Sequence, residues 1–382
     1  MSYDVHALRA REFPWAESGR LYLNNASSGP LPRRALGAIE AMNLARAEPF
    51  RVRDAELFAL CARARAGCAR LVGAEAAEIA LMVNTSYGIN LAARALPLQA
   101  GDVVLGLEGE FPANVYPWMA LEPAAGVTMR RLPLAGGLPD EDALLRALDD
   151  PAVKVLAVSW VQFASGFRVD LARLGARCRE RGVFFVVDAI QGLGAAALDV
   201  RACHIDVLAC GGQKWLLSPW GSGFTFVRRE LVARLAPNAV GWMAVQGSDD
   251  FARLTEYDLT WRDDARRFEV ITLPYQDIAG FAASLELLEE LGHAAVERHV
   301  EALADRIVER ARASRSLRLV TPADRARRAG IVSLRPPDAA DASRRLTSAH
   351  VSHSLREGMI RLSPHCYNTL EEVDRAMDVL EG

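Results

Sequence analysis

The chain has no Cys-x-x-Cys pair and no cysteine–histidine cluster at zinc-site spacing, so no metal site is expected. Its six cysteines, Cys61, Cys68, Cys178, Cys203, Cys210 and Cys366, do not resemble a disulfide framework and fit a reduced, cytoplasmic protein. Cys61 and Cys68 are seven residues apart in a helical pattern and should share a buried face. No apolar run approaches a membrane span. The start, Met1-Ser2-Tyr3-Asp4-Val5-His6, has no basic stretch leading into an apolar one, so no signal peptide is expected. The net charge of −3 leaves no excess of positive charge for nucleic acid or an anionic membrane. Arginine-rich spots at Arg325, Arg327, Arg328 and at Arg344, Arg345 are interspersed with acids and read as solvated surface. No Walker-type glycine loop occurs, and no Gly-x-Gly-x-x-Gly follows the first strand, which counts against a nucleotide site and a dinucleotide dehydrogenase.

What the chain does have is apolar content, 51% over 382 residues, enough for a sizeable core and for two or three domains. A helical pattern runs from about 32 to 72, with Pro32 in a first turn and Gly73 after the last periodic residue. From 79 to 228, short apolar runs alternate with amphipathic segments. The runs are Ile79–Val83, Val103–Leu107, Val127–Leu132, Val153–Val158, Val183–Val187, Ile205–Cys210 and Gly223–Val227. Asp140–Leu148 and Leu171–Arg181 read as helices between them. This alternation predicts an α/β fold with a mostly parallel seven-stranded sheet covered on both faces. Beyond about 240, Gly241–Glu269 is irregular. A helical stretch then covers Gln276–Ala313, strands follow near Ala329–Arg335 and Met359–Ser363, and a capping box opens the last helix at Thr369-Leu370-Glu371-Glu372. The division expected is a large domain over 18–245 and a smaller α+β domain from 1–17 and 246–382.

Two residues at strand ends point to chemistry. Lys214 follows Cys210-Gly211-Gly212-Gln213, and Asp188 closes Val186-Val187. In parallel sheets, ligands sit outside the carboxyl ends of the strands. A lysine amine there can hold an aldehyde as a Schiff base, and a carboxylate can keep a pyridinium nitrogen protonated. On its own, Lys214 would read as an ordinary surface lysine and Asp188 as an N-cap. The glycines before Lys214, and the turn Ser218-Pro219-Trp220-Gly221-Ser222-Gly223 after it, argue for a close backbone approach. Gln191 is placed to donate to a phenolic oxygen. Asn84-Thr85-Ser86, before a helix at Gly88–Leu96, can cradle a phosphate or simply cap that helix. Phe111, in Glu110-Phe111-Pro112-Ala113-Asn114, can stack on a ring or fill a core. Arg361, inside an apolar strand, needs an anion, either a substrate carboxylate or a nearby acid.

In order, these pieces resemble the class V aminotransferase family of pyridoxal phosphate enzymes, which includes cysteine desulfurases, isopenicillin N epimerase and kynureninase. The resemblance runs from Tyr22-Leu23-Asn24-Asn25-Ala26-Ser27 through Asn84-Thr85-Ser86, Asp188-x-x-Gln191, Gln213-Lys214-Trp215 and Arg267-Phe268-Glu269 to Arg361-Leu362-Ser363-Pro364-His365-Cys366-Tyr367-Asn368-Thr369. It implies fold type I and pyridoxal 5'-phosphate as cofactor. Lys214 would be the attachment lysine, Asp188 the pyridinium partner, Gln191 and Gln213 further cofactor contacts, Thr85 and Ser86 the phosphate site and Phe111 the stacking ring. Arg361 and Asn25 would bind substrate. The resemblance further implies a homodimer in which Thr272 reaches the neighbouring subunit's phosphate. Phe111 and Gln213 stand where many desulfurases have histidines. No cysteine occurs in Asp338–Gly358, where desulfurases carry the persulfide nucleophile; His350 and His353 occur instead. The activity expected is therefore a β-elimination lyase, acting on C–S or related bonds of a small α-amino acid. The alternatives are an aminotransferase, an epimerase, or a non-enzymatic cofactor-binding protein. Trp160, Trp242 and Trp261 could line an apolar substrate cleft or pack in the core.

Overall fold

The computed structural model describes residues 3–382. Seven strands form one sheet in the order Ile79–Leu81, Gly223–Val227, Val207–Gly211, Phe184–Asp188, Val153–Ser159, Val103–Leu107, Thr128–Leu132. Gly223–Val227 is antiparallel to both neighbours, and every other pairing in the sheet is parallel. The inner strands are largely apolar on both faces because both faces are covered, whereas the edge strand Thr128–Leu132 carries Arg130 and Arg131 and is partly exposed. Leu156, Val158, Phe185, Val187 and Leu208 enter one core cluster, and Val155, Ala157, Val186, Val207 and Ala209 enter the other. This is the α/β architecture with a mostly parallel seven-stranded sheet that the alternation of runs predicts, and all seven apolar runs contribute strands to it.

The chain order of the sheet reverses beside Val103–Leu107. From that strand the chain goes outward to Thr128–Leu132, then returns to Val153–Ser159 on the other side. The loops after Leu107 and after Ser159 therefore diverge and leave a crevice above the strand ends. Phe111 sits in the first loop and Phe163 in the second.

A second, four-stranded antiparallel sheet joins Ser354–Arg356, Met359–Leu362, Val332–Arg335 and Arg318–Leu319 in that order. Its core is separate and includes Leu303, Ile307, Leu334, Ile360 and Met377. Arg9 bonds the Tyr367 carbonyl and pairs with Glu372, and Leu21–Tyr22 runs parallel to Val351–Ser352, whereas Leu8, Phe13 and Ala16 enter the first core cluster. The Thr369 capping box is present.

Three elements differ from expectation, each for a local reason. The helical stretch 32–72 is two helices, Arg33–Ala47 and Asp54–Val72, because Pro49 has no amide hydrogen to continue the first. Pro32 stands as the cap before the first helix rather than inside it. The stretch 276–313 breaks at Gly292, whose φ of 81° lies outside the helical region. Among the described residues, no helix is long and apolar enough to cross a membrane, and no cluster of three or more His, Cys, Asp or Glu could hold a metal.

Candidate active site

The carboxyl ends of four neighbouring strands converge on a pocket of about 220 Å³ lined by Phe111, Ser159, Val161, Phe163, Asp188, Ile190, Gln191 and Lys214. Asp188 is the last residue of its strand, and Ser159 lies beside it in register on the next. Asp188 is buried, and its Oδ1 accepts from the Ile190 amide at 3.0 Å. Burial pushes its carboxyl up to about 7, against the opposing pull of that amide and of Lys214. Lys214 lies three residues past the strand Val207–Gly211. Its Nζ is 5.6 Å from the Phe111 ring centroid and makes no hydrogen bond or ion pair among the described residues. Burial is the main cause that brings its ammonium down to about 8, with Asp188 pulling the other way. The Phe111 and Phe163 rings meet edge to face, with centroids 5.4 Å apart.

Lysine is scarce in this chain: only Lys154 and Lys214 occur among 382 residues. Lys154 is exposed on the strand Val153–Ser159, so every amine task in the pocket falls to Lys214. That scarcity is a sequence signal in its own right.

Gln191 is held on both sides. Its Nε2 donates to the Ala26 carbonyl, and its Oε1 accepts from the Trp215 indole, both at 2.9 Å. One Nε2 hydrogen is left for the pocket. The Gln213 carboxamide folds back over Gly211, where an added Cβ would meet its Oε1 at 2.5 Å. Thr85 opens the helix Thr85–Ala95, capped by Asn84, and its Oγ1 accepts from the Gly211 amide at 2.8 Å. The helix start is thereby fastened to the strand that leads to Lys214. Ser86 is exposed beside it.

Arg361 is buried on the strand Met359–Leu362. It donates to the Phe163 carbonyl at 2.6 Å and to Ser27 Oγ at 2.9 Å, while its Nε has no partner. It forms no ion pair among the described residues. Burial, then the nearby charge of Arg356, pulls its guanidinium down to about 10. A buried cation without a counter-charge favours an anion beside it, because removing a charge from water unpaired is unfavourable.

Other expected residues lie elsewhere. Asn25 is fully buried: its Nδ2 donates to the Tyr367 hydroxyl at 3.1 Å, its Oδ1 has no partner among the described residues, and it forms no bond to Arg361. Its neighbours carry the polar reach instead, since Asn24 and Ser27 both bond Ser354, which stands across from Arg361. Thr272 is exposed and does not line its own chain's pocket. Trp160 is buried against Gly192, and Trp242 and Trp261 lie apart from the pocket. His350 is exposed, and His353 is tied to Ser343 and the Val351 carbonyl. Ser27, Glu110, Ser159, Val161, Phe163 and Ser354 were not singled out from the sequence. The topological reversal marks four of them, since they follow the two diverging strands.

Residues 21–376 match the aminotransferase class-V family. The chain belongs to that family. It is thus a pyridoxal 5'-phosphate-dependent enzyme. Isopenicillin N epimerase from Streptomyces clavuligerus is 31% identical over 94% of each chain. The aminotransferase YcbU from Bacillus subtilis is 30% identical over 82% of this chain and 81% of its own. Cysteine desulfurases are further relatives. Among solved structures, the cystine C–S lyase C-DES bound to its product cysteine persulfide superimposes with a TM-score of 0.88. It is 24% identical and covers 97% of this chain and 99% of that one.

The donor set of this class-V enzyme fits its cofactor. Lys214 offers an amine with no hydrogen-bond or ion-pair partner among the described residues. Asp188 has one carboxylate oxygen uncommitted. The first turn of Thr85–Ala95 presents amides and hydroxyls to an anion.

Proposed function

We propose that this enzyme is a β-elimination lyase that cleaves a C–S or related bond of a small α-amino acid without a persulfide cysteine. The observation that carries this is the absence of a thiol from the pocket. None of the six cysteines lines it. Cys366 is fully buried, with its thiol pushed up by burial, and Cys210 is likewise buried, on the strand that leads to Lys214. A sulfur leaving group would have no protein nucleophile to receive it and would depart as product.

When bound, pyridoxal phosphate supplies an aldehyde and an electron-accepting ring. Lys214 would hold that aldehyde, Asp188 the ring nitrogen, Gln191 the ring hydroxyl, Phe111 the ring face, and Thr85 and Ser86 the phosphate. Arg361 would bind the substrate α-carboxylate in a bidentate pair. Once the substrate amine has displaced Lys214 from that aldehyde, the freed Lys214 Nζ would take the α-proton. An amine lowered to about 8 is neutral often enough near that pH to act as a base. Exposed Thr272 suits a role in the pocket of a second copy of the chain, which supports a homodimer.

The names of two relatives favour a second reading, transamination or epimerisation by the same residues. A panel of single L-amino acids, added without keto acid to cofactor-loaded enzyme, separates the three. Continued release of ammonia and a keto product means a lyase. A single conversion to the pyridoxamine form, reversed by a keto acid, means an aminotransferase. Inversion at the α-carbon without ammonia means an epimerase.

A further inference from the structure

Glu110 is a buried carboxylate with no cationic partner among the described residues. Four donors surround it. Its Oε1 accepts from the Ser159 amide and from Gln162 Nε2, both at 2.9 Å. Its Oε2 accepts from the Ser159 hydroxyl and from Asn114 Nδ2 at 3.3 Å. Three of these four are N–H groups, which can only donate. Both oxygens accept, and these bonds pull the carboxyl down against the stronger upward push of its burial. A buried anion held by neutral donors alone is unfavourable unless its surroundings are arranged for it.

The arrangement joins two parts of the pocket. Glu110 immediately precedes Phe111 in the loop after Val103–Leu107. Ser159 ends the neighbouring strand, lines the pocket and lies in register with Asp188. Asn114 continues the network to the Trp118 indole. The Ser159 hydroxyl proton is spent on Glu110, so toward the pocket that oxygen presents lone pairs. The second negative charge also lies close enough to raise the Asp188 carboxyl.

We propose that Glu110 is a positioning residue of this site. It clamps the Phe111 loop onto the strand end beside Asp188 and supplies a second buried anion behind the Asp188 carboxylate. It acts on the ring of the bound cofactor through Phe111 and Asp188, so it rests on the roles given to those two residues above.

The test is E110Q, with D206N as the control. Asp206 is another buried acid of the same sheet, accepting from the Phe185 amide and pairing with Arg228 away from the pocket. Pyridoxal phosphate affinity is measured by titration of the cofactor-free proteins. The pH midpoint of the bound cofactor's absorbance is measured on the loaded ones. E110Q should weaken the affinity tenfold or more and lower the midpoint by on the order of one pH unit, since a nearby anion has been removed. D206N should leave both unchanged, whatever it does to thermal stability. E110Q with wild-type affinity and midpoint overturns the proposal. If E110Q does not fold, S159A replaces it; that variant keeps the Ser159 amide bond and loses only the hydroxyl. It must weaken affinity at least threefold, and wild-type affinity in S159A overturns the proposal equally. D188N separates the two levels of argument: if D188N binds and titrates like wild type, the Asp188 role itself is wrong, independently of Glu110.

Discussion

Gly29 lies against the backbone of Lys214. Its amide donates to the Gln213 carbonyl at 2.8 Å, and a Cβ built on it would stand 2.1 Å from the Lys214 carbonyl oxygen. Two residues away, Ser27 bonds Arg361. One short loop thus touches both the backbone that carries Lys214 and the Arg361 guanidinium. G29A must move either the loop or the Lys214 turn, a displacement worth roughly 1–3 kcal/mol. The expected outcome is a lower melting temperature and a smaller fraction of Lys214 trapped by borohydride reduction of the loaded enzyme. Peptide mass spectrometry reads this directly, because the chain has only one other lysine. Full trapping at wild-type stability would show that the contact constrains nothing.

Asp188 gives a pH dependence with a definite sign. An unfolded chain gives up this proton near 3.8, whereas the folded cofactor-free protein keeps it to about 7. Between those values the folded state binds more protons, so raising the pH across the window destabilises it. D188N has no such proton. In urea titrations of cofactor-free protein, D188N should gain on wild type by about 2 kcal/mol between pH 5 and pH 8. Lys214 acts in a separate window. Its folded value of about 8 lies below the unfolded one, so its destabilising effect fades as pH rises above 8. A D188N difference that is flat from pH 5 to 8 would mean the carboxyl is ionised throughout.

Thr85 has two tasks that a pair of substitutions separates. Its oxygen accepts from the buried Gly211 amide, and its hydroxyl proton stays available for an anion. T85V leaves that amide unsatisfied, which costs about 1–3 kcal/mol. T85S keeps the bond. Cofactor affinity should fall at least tenfold in T85V and stay within a few-fold of wild type in T85S. Equal affinities in the two variants would place the phosphate elsewhere.

The fold was legible because strands buried on both faces read as continuous apolar runs, and all seven runs, Ile79–Val83 to Gly223–Val227, lie in one sheet. Boundaries were less so: Val83 is exposed, and Pro49 and Gly292 each split one helical pattern in two. Lys214, Asp188, Phe111 and Gln191 could be picked out because each follows a strand, and the structure brings them to one pocket. Glu110 and Phe163 were not, since what distinguishes them is a cross-strand partner: the Ser159 amide for one, the Arg361 guanidinium for the other. Asn25 and its neighbour show a complementary point. Adjacent residues in an extended segment face opposite ways, and it is Asn24 that faces Ser354 while Asn25 faces Tyr367.

Arg361 tests whether the pocket is built for a carboxylate. Its bonds to the Phe163 carbonyl and Ser27 hold it in place but do not neutralise it. A structural ion pair would have an acid opposite, and none is present among the described residues. Two consequences differ in sign. Removing the guanidinium relieves an uncompensated buried charge, so R361M in the cofactor-free protein should be no less stable than wild type to urea. On the role proposed for it, the same substitution removes the partner of the substrate carboxylate, so kcat/KM should fall by an amount worth roughly 2–4 kcal/mol, mostly through KM. R361K keeps the charge but loses the planar fork, and should recover only part of that loss. A variant that loses several kcal/mol of folding stability while its KM stays unchanged would instead make Arg361 a structural residue, and the substrate's carboxylate would need another partner.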